Sequence, residues 1–117
     1  MTSAPERSFV TTHVLDSAVG APAAGVGVVL EGREGAGWVE IAVGTTDENG
    51  RIEALGPARL ASGTYRLTFA VGPYYASRGT ATFYPEVSVM CQIDGRQPHY
   101  HVPLLLSPFA YSTYRGS

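Results

Sequence analysis

Three histidines and a few arginines hold most of the chemistry this chain can offer. His13 lies in the run Thr11-Thr12-His13-Val14-Leu15-Asp16, and His99 and His101 flank Tyr100. Arg51 directly follows the turn signal Asp47-Glu48-Asn49-Gly50, and Arg115 and Ser117 belong to a terminal Tyr-Arg-Gly-Ser. Imidazole titrates near neutral pH and is the natural general acid or base. A guanidinium fork binds planar anions. On their own, these scattered groups do not name a reaction. Each also has a plainer reading. A lone strand histidine is more often structural, and an arginine after a turn is more often solvated. Arg115 stands beside the terminal carboxylate and can simply neutralise it. Ser117 carries a hydroxyl, but no Gly-x-Ser-x-Gly elbow surrounds it, which argues against a serine-hydrolase nucleophile.

Other chemistries find less support. Two histidines at i and i+2 on a strand suggest metal, but no third ligand stands at a recognised spacing. The single cysteine, Cys91, excludes an intrachain disulfide. It sits in an apolar run over 87–93 and reads as a small buried hydrophobe. No glycine-rich phosphate loop or dinucleotide fingerprint occurs. With eight basic residues and a net charge of −2, the chain has no basic stripe for nucleic acid.

The elements that must position these groups are strands. Fourteen glycines and eight prolines punctuate short runs rich in Val, Thr, Ile, Tyr and Phe, which reads as all-β. Strands are expected near 8–16, 26–31, 38–46, from 51, 63–71, 86–93, 99–105 and 111–116. About seven or eight strands in this length make a two-layer β-sandwich. The segment 56–62, with Pro57 early and Gly63 just past its end, is the one expected short helix. Strand parity then sorts the faces. Val10, Thr12 and Val14 share one face of the first strand, and His13 shares the other with Phe9, Thr11 and Leu15. His101 shares its face with His99 and Pro103, opposite Val102 and Leu104. Both His13 and His101 are therefore expected to point away from the sandwich interior.

At 117 residues, 44% apolar and 15% charged, the chain is expected to fold as one globular domain. Residues 1–8 are polar, lack a signal core and are expected to be flexible. No run is long enough to span a bilayer, so no membrane role is expected, and the default compartment is the cytoplasm.

These motifs in order resemble the 5-hydroxyisourate hydrolases, the transthyretin-like enzymes of urate breakdown. Thr11 to Asp16 is followed by Gly20-x-Pro22-Ala23-x-Gly25-Val26. Thr46-Asp47-x-x-Gly50-Arg51, Phe83-Tyr84-Pro85-Glu86-Val87 and the stretch His99 to Ser117 complete the likeness, which runs from about Phe9 to the end. The resemblance implies a transthyretin-like sandwich in a homotetramer, with sites at the mouths of a central channel. It implies catalytic roles for His13, Arg51, His101 and Ser117, and substrate contacts from His13, Arg51, Tyr114 and Arg115. It implies hydrolysis of 5-hydroxyisourate without metal or organic cofactor, and leaves open which histidine is the base. The alternative is a transthyretin-like small-ligand carrier without catalysis. Such a carrier lacks the channel histidines and the terminal Tyr-Arg-Gly-Ser, both present here.

Overall fold

The computed structural model describes residues 7–116. The strands are β1 (Val10–Asp16), β2 (Ala21–Pro22), β3 (Gly27–Glu34), β4 (Gly37–Thr45), β5 (Arg51–Ile52), β6 (Gly63–Phe69), β7 (Val87–Ile93), β8 (Tyr100–Ser107) and β9 (Ala110–Thr113). One helix, α1 (Val71–Ala76), follows β6. The first sheet has the order β2-β1-β8-β9, with β5 also paired to β1, and the second has the order β4-β3-β6-β7. The pairing of β1 with β8 is parallel, and every other strand pairing is antiparallel.

Alternation along the strands sends one face of each sheet into a shared core, as a transthyretin-like β-sandwich requires. Val10, Val14, Leu104 and Leu106 from one sheet meet Val28, Leu30, Leu67 and Phe69 from the other, all fully buried. Each such side chain contributes roughly 1.5–3 kcal/mol by leaving water. Thr12 is also on the inner face, and its hydroxyl is satisfied by donating to the Val102 carbonyl at 2.6 Å. That bond ties β1 to β8 from the core side.

The helix is not where the sequence placed it. Segment 56–62 has no helical turn. Gly56 takes φ +94°, outside the helical region, and the Pro57 carbonyl accepts the Phe9 N–H at 2.8 Å, which holds the segment as a connection. The helix forms instead at 71–76, where the expected strand over 63–71 stops short at Phe69. Pro73 lies in its first turn, where a missing N–H costs nothing. Val71, Tyr74 and Tyr75 bury one side at i, i+3 and i+4. Tyr74 Oη donates to Asp16 Oδ2 at 2.9 Å, pinning α1 to the end of β1.

Smaller differences arise from pairing. β2 is a two-residue strand within an expected loop, formed because Leu15 and Asp16 pair with Pro22 and Ala21. The last strand ends at Thr113, and the chain returns to the sheet only at Gly116, as a bridge to His101. Of the stretch expected to be flexible, 1–6 lie outside the described residues. Ser8 is instead buried, with its Oγ donating to the Val10 carbonyl at 2.7 Å and accepting the Leu55 N–H at 3.0 Å. No helix among the described residues is long and apolar enough to cross a membrane.

Candidate active site

β1 is the axis of the site because it pairs with β8 on one edge and β5 on the other. Thr11 lies opposite His101 across the parallel pair, and His13 lies opposite Arg51 across the antiparallel pair. Cross-strand partners share a face, so Thr11, His13, Arg51 and His101 all stand on the outer face of one sheet. The core takes the alternate residues.

Local chemistry sets Arg51. Asp47 accepts the N–H groups of Asn49 and Arg51 on its Oδ1, at 2.8 and 3.0 Å, and so builds the turn. Gly50 closes it at φ +74°, and its carbonyl accepts the Val14 N–H at 2.8 Å. The guanidinium of Arg51 then leaves the sheet beside His13, on an exposed side chain.

His101 is held from two sides. Its Nδ1 is 2.9 Å from Thr11 Oγ1, and His99 Nε2 is 2.8 Å from the same oxygen. The rings of His99 and His101 are stacked, 6.3 Å apart at an interplanar angle of 21°. On the other side, the Gly116 N–H donates to the His101 carbonyl at 2.8 Å. A Cβ at position 116 would lie 2.6 Å from His101 Cδ2, so a larger residue there would push the His101 ring aside. Tyr114 and Arg115 are exposed just before this bridge. Ser117 lies outside the described residues. A cleft of about 340 Å³ is lined by Arg7, Gln97, Pro98, His99, Arg115 and Gly116, next to the bridge.

The electrostatics favour neutral imidazoles. Burial lowers the pKa of His101, and Arg51, His99, His13 and Arg7 lower it further. His13 is lowered by burial and by Arg51, against the opposing pull of the Asn49 backbone hydrogen bond and the Asp47 carboxylate. His99 is lowered by burial and by Arg7. All three are therefore free to accept a proton at neutral pH, within a positive field suited to an anion. Among the described residues, no three His, Cys, Asp or Glu side chains gather where they could hold a metal ion. Burial pushes the Cys91 thiol up, away from the reactive thiolate.

A stability effect follows. The folded-state values of the three histidines lie below that of free imidazole, so on acidification the unfolded chain binds protons first. Their penalty is absent above about pH 6.5 and grows as the pH falls from there through the folded-state values. Urea midpoints measured at intervals below neutrality are expected to fall over that window. The fall should shrink in His101→Asn. An identical fall in that variant would show that His101 does not contribute.

The structure thus brings His13, Arg51 and His101 to one face, with Tyr114 and Arg115 at the returning tail. It adds Thr11, Arg7 and Gly116, to which the sequence had assigned no role, and it sets His99, weighed earlier only as a metal ligand, beside His101 on Thr11. Thr11 was within reach, because it stands two residues before His13 on the same strand face. Arg7 was hidden in a stretch expected to be flexible.

The chain matches the HIUase/Transthyretin family over residues 10–116. It is 47% identical to the 5-hydroxyisourate hydrolase of Salmonella dublin, over 100% of this chain and 87% of the relative. Among solved structures it resembles the 5-hydroxyisourate hydrolase of Klebsiella pneumoniae, with TM-score 0.84 and 37% identity over 94% of this chain and 99% of the other. It also resembles transthyretin from Sparus aurata, with TM-score 0.88 and 31% identity over 94% and 97%. The backbone matches hydrolase and transthyretin about equally well. Side chains must therefore separate the two readings.

Proposed function

The chain belongs to the HIUase/transthyretin family, and from that premise we propose that it is a 5-hydroxyisourate hydrolase acting in urate breakdown. The observation that carries this reading over a carrier is the shared outer face of His13, Arg51 and His101. A carrier of a small ligand has no use for two neutral bases beside a guanidinium. A hydrolase needs a base, an anion clamp and a proton shuttle in one place.

The reaction opens the six-membered ring at its N1–C6 amide, giving 2-oxo-4-hydroxy-4-carboxy-5-ureidoimidazoline. His101 takes a proton from water as the oxygen attacks C6. Arg51 holds the anionic substrate and stabilises charge on the C6 oxygen. The C6–N1 bond breaks as N1 takes a proton, which His13 shuttles while orienting the substrate. Tyr114 and Arg115 shape the pocket from the returning tail. Ser117 relays between His101 and water.

The same reading takes the chain as one domain, working in the cytoplasm as a homotetramer whose channel walls the sites. In its support, β9 is exposed at all four residues along the sheet edge, Tyr111 among them, and Phe83 and Phe109 are exposed near it. Unpaired edges and apolar patches of this kind invite pairing between copies. Sedimentation at micromolar concentration is expected to give four times the chain mass of 12.4 kDa. A fully active monomer would remove the channel from the proposal.

The test of activity is spectrophotometric. Urate oxidase generates 5-hydroxyisourate in place, and its ultraviolet decay is followed with and without the protein. Faster decay with the protein supports the hydrolase. Equal decay removes it and leaves the carrier reading, to be pursued by ligand titration.

A further inference from the structure

Thr11 is unused by the mechanism above. It is only 8% exposed, faces His101 across the β1–β8 pair, and lies within hydrogen-bond distance of both His99 Nε2 and His101 Nδ1. Among the described residues its hydroxyl has no other partner. A hydroxyl carries one proton and two lone pairs. It donates to one ring, so the other ring must offer it an N–H.

Neutral rings satisfy this in two ways. In the first, His101 carries its proton on Nδ1 and donates it to Thr11, which donates to His99 Nε2, so His99 is also protonated on Nδ1. In the second, His99 donates from Nε2 to Thr11, which donates to His101 Nδ1, so both rings are protonated on Nε2. Either way, the two rings share one tautomer. If they differ, either the buried hydroxyl proton has no acceptor or two lone pairs face one oxygen with one proton between them. Leaving a buried donor or acceptor unmet is costly.

We propose that Thr11 is a positioning residue which couples the tautomers of His99 and His101, and that the coupled pair sits in the Nδ1–H form, leaving His101 Nε2 bare as the base. The use of this form in turnover rests on the hydrolase reading. The coupling itself rests only on the geometry of the two rings and the hydroxyl. When His101 takes a proton on Nε2, its Nδ1–H keeps donating to Thr11 and nothing has to rotate. His99 matters because it accepts the Thr11 proton and so prevents the hydroxyl from turning back toward His101.

Nitrogen NMR on protein with labelled histidine, at about pH 8 where all three rings are neutral, reads the tautomers directly. The expected result is Nδ1–H at both His99 and His101. Free histidine prefers Nε2–H, so this is a distinctive signature. Thr11→Val should return at least one ring to Nε2–H, and Thr11→Ser should keep both on Nδ1. Opposite tautomers in the unaltered protein, or no change in Thr11→Val, would overturn the coupling, and both rings on Nε2 would overturn the assigned Nδ1–H form.

Kinetics give the second arm. Thr11→Val and His99→Asn should each lower kcat about tenfold or more with KM nearly unchanged, as a base held in the wrong tautomer does. Thr11→Ser should recover most of the loss, and the double variant should lose no more than the worse single, as parts of one unit do. Full kcat in both single variants, or losses that multiply in the double, would overturn the role in turnover. His99→Asn keeps this arm usable if Thr11→Val does not fold. If the unaltered protein fails to hydrolyse 5-hydroxyisourate, the proposed function falls while the NMR result still decides the coupling.

Discussion

Replacing His101 by Asn is expected to lower kcat for 5-hydroxyisourate by about 10²- to 10⁴-fold, the usual weight of a general base. The loss should fall on kcat more than on KM. Asn is close to imidazole in reach as far as Nδ1, so Thr11 keeps a partner where it now meets the ring at 2.9 Å. What disappears is the second nitrogen, the one that takes the proton from water. The carbonyl of residue 101 still accepts the Gly116 N–H, because that bond is made by backbone. The fold and assembly should therefore survive, and the melting temperature and sedimentation of the variant check that they do. His13→Asn should cost less in kcat if it orients and shuttles. A larger loss at His13, with an acid limb of the pH–rate profile that vanishes in that variant, would exchange the two roles. Full activity in both variants would end the assignment. The acid limb should lie below the pH at which free imidazole titrates, because burial and neighbouring cations lower both rings.

Gly50→Ala is the substitution with the largest expected effect on stability per atom added, about 2–4 kcal/mol. Gly50 adopts φ +74°, which an L side chain rarely takes. Its Cβ would collide with the Val14 carbonyl oxygen and lie 3.2 Å from Pro22 Cβ and 3.3 Å from the Ala23 nitrogen. Those obstacles are backbone and a proline ring, so none can swing aside. The Val14 carbonyl is itself engaged, accepting the Ala23 N–H at 2.9 Å. Relief requires moving the 47–51 turn off β1, which would carry Arg51 away from His13. Denaturant unfolding and the hydrolase assay should therefore fall together. Gly20→Ala is the control, since Gly20 has φ +69° with nothing within 4 Å of a Cβ. It should cost only the backbone term, about 1–2 kcal/mol, and leave kcat alone. Equal losses at the two glycines would show that the collision is relieved elsewhere.

Much of the fold could be read along the chain because strand structure is a local pattern. Parity placed His13 and His101 outside the sandwich, and the inner faces carry Val10, Val14, Val102 and Leu104 as expected. Turn chemistry placed Arg51 just past a tight turn. The helix was misread because its own signals are poor. Val-Gly-Pro opens it, six residues complete it, and its stability comes from burying Tyr74 and Tyr75 and from the bond to Asp16. None of those contacts is visible in local spacing. Segment 56–62 carried better helix punctuation but is tied down by the distant Phe9 N–H.

By itself, the sequence determined most of the strands, the outward faces of His13 and His101, and which side chains have acid–base or anion-binding chemistry. Those properties depend on neighbours a few residues away. Only the tertiary structure decided which of them meet. The parallel register of β1 on β8 sets Thr11 against His101, and the β5 turn sets Arg51 against His13. Gly116 returns to close on His101. Register between distant strands is chosen by the whole core packing at once, and a slip of one residue would turn every side chain to the opposite face. Thr11 and His101 are 90 residues apart in the chain, and their 2.9 Å separation is a property of the packed sheet alone.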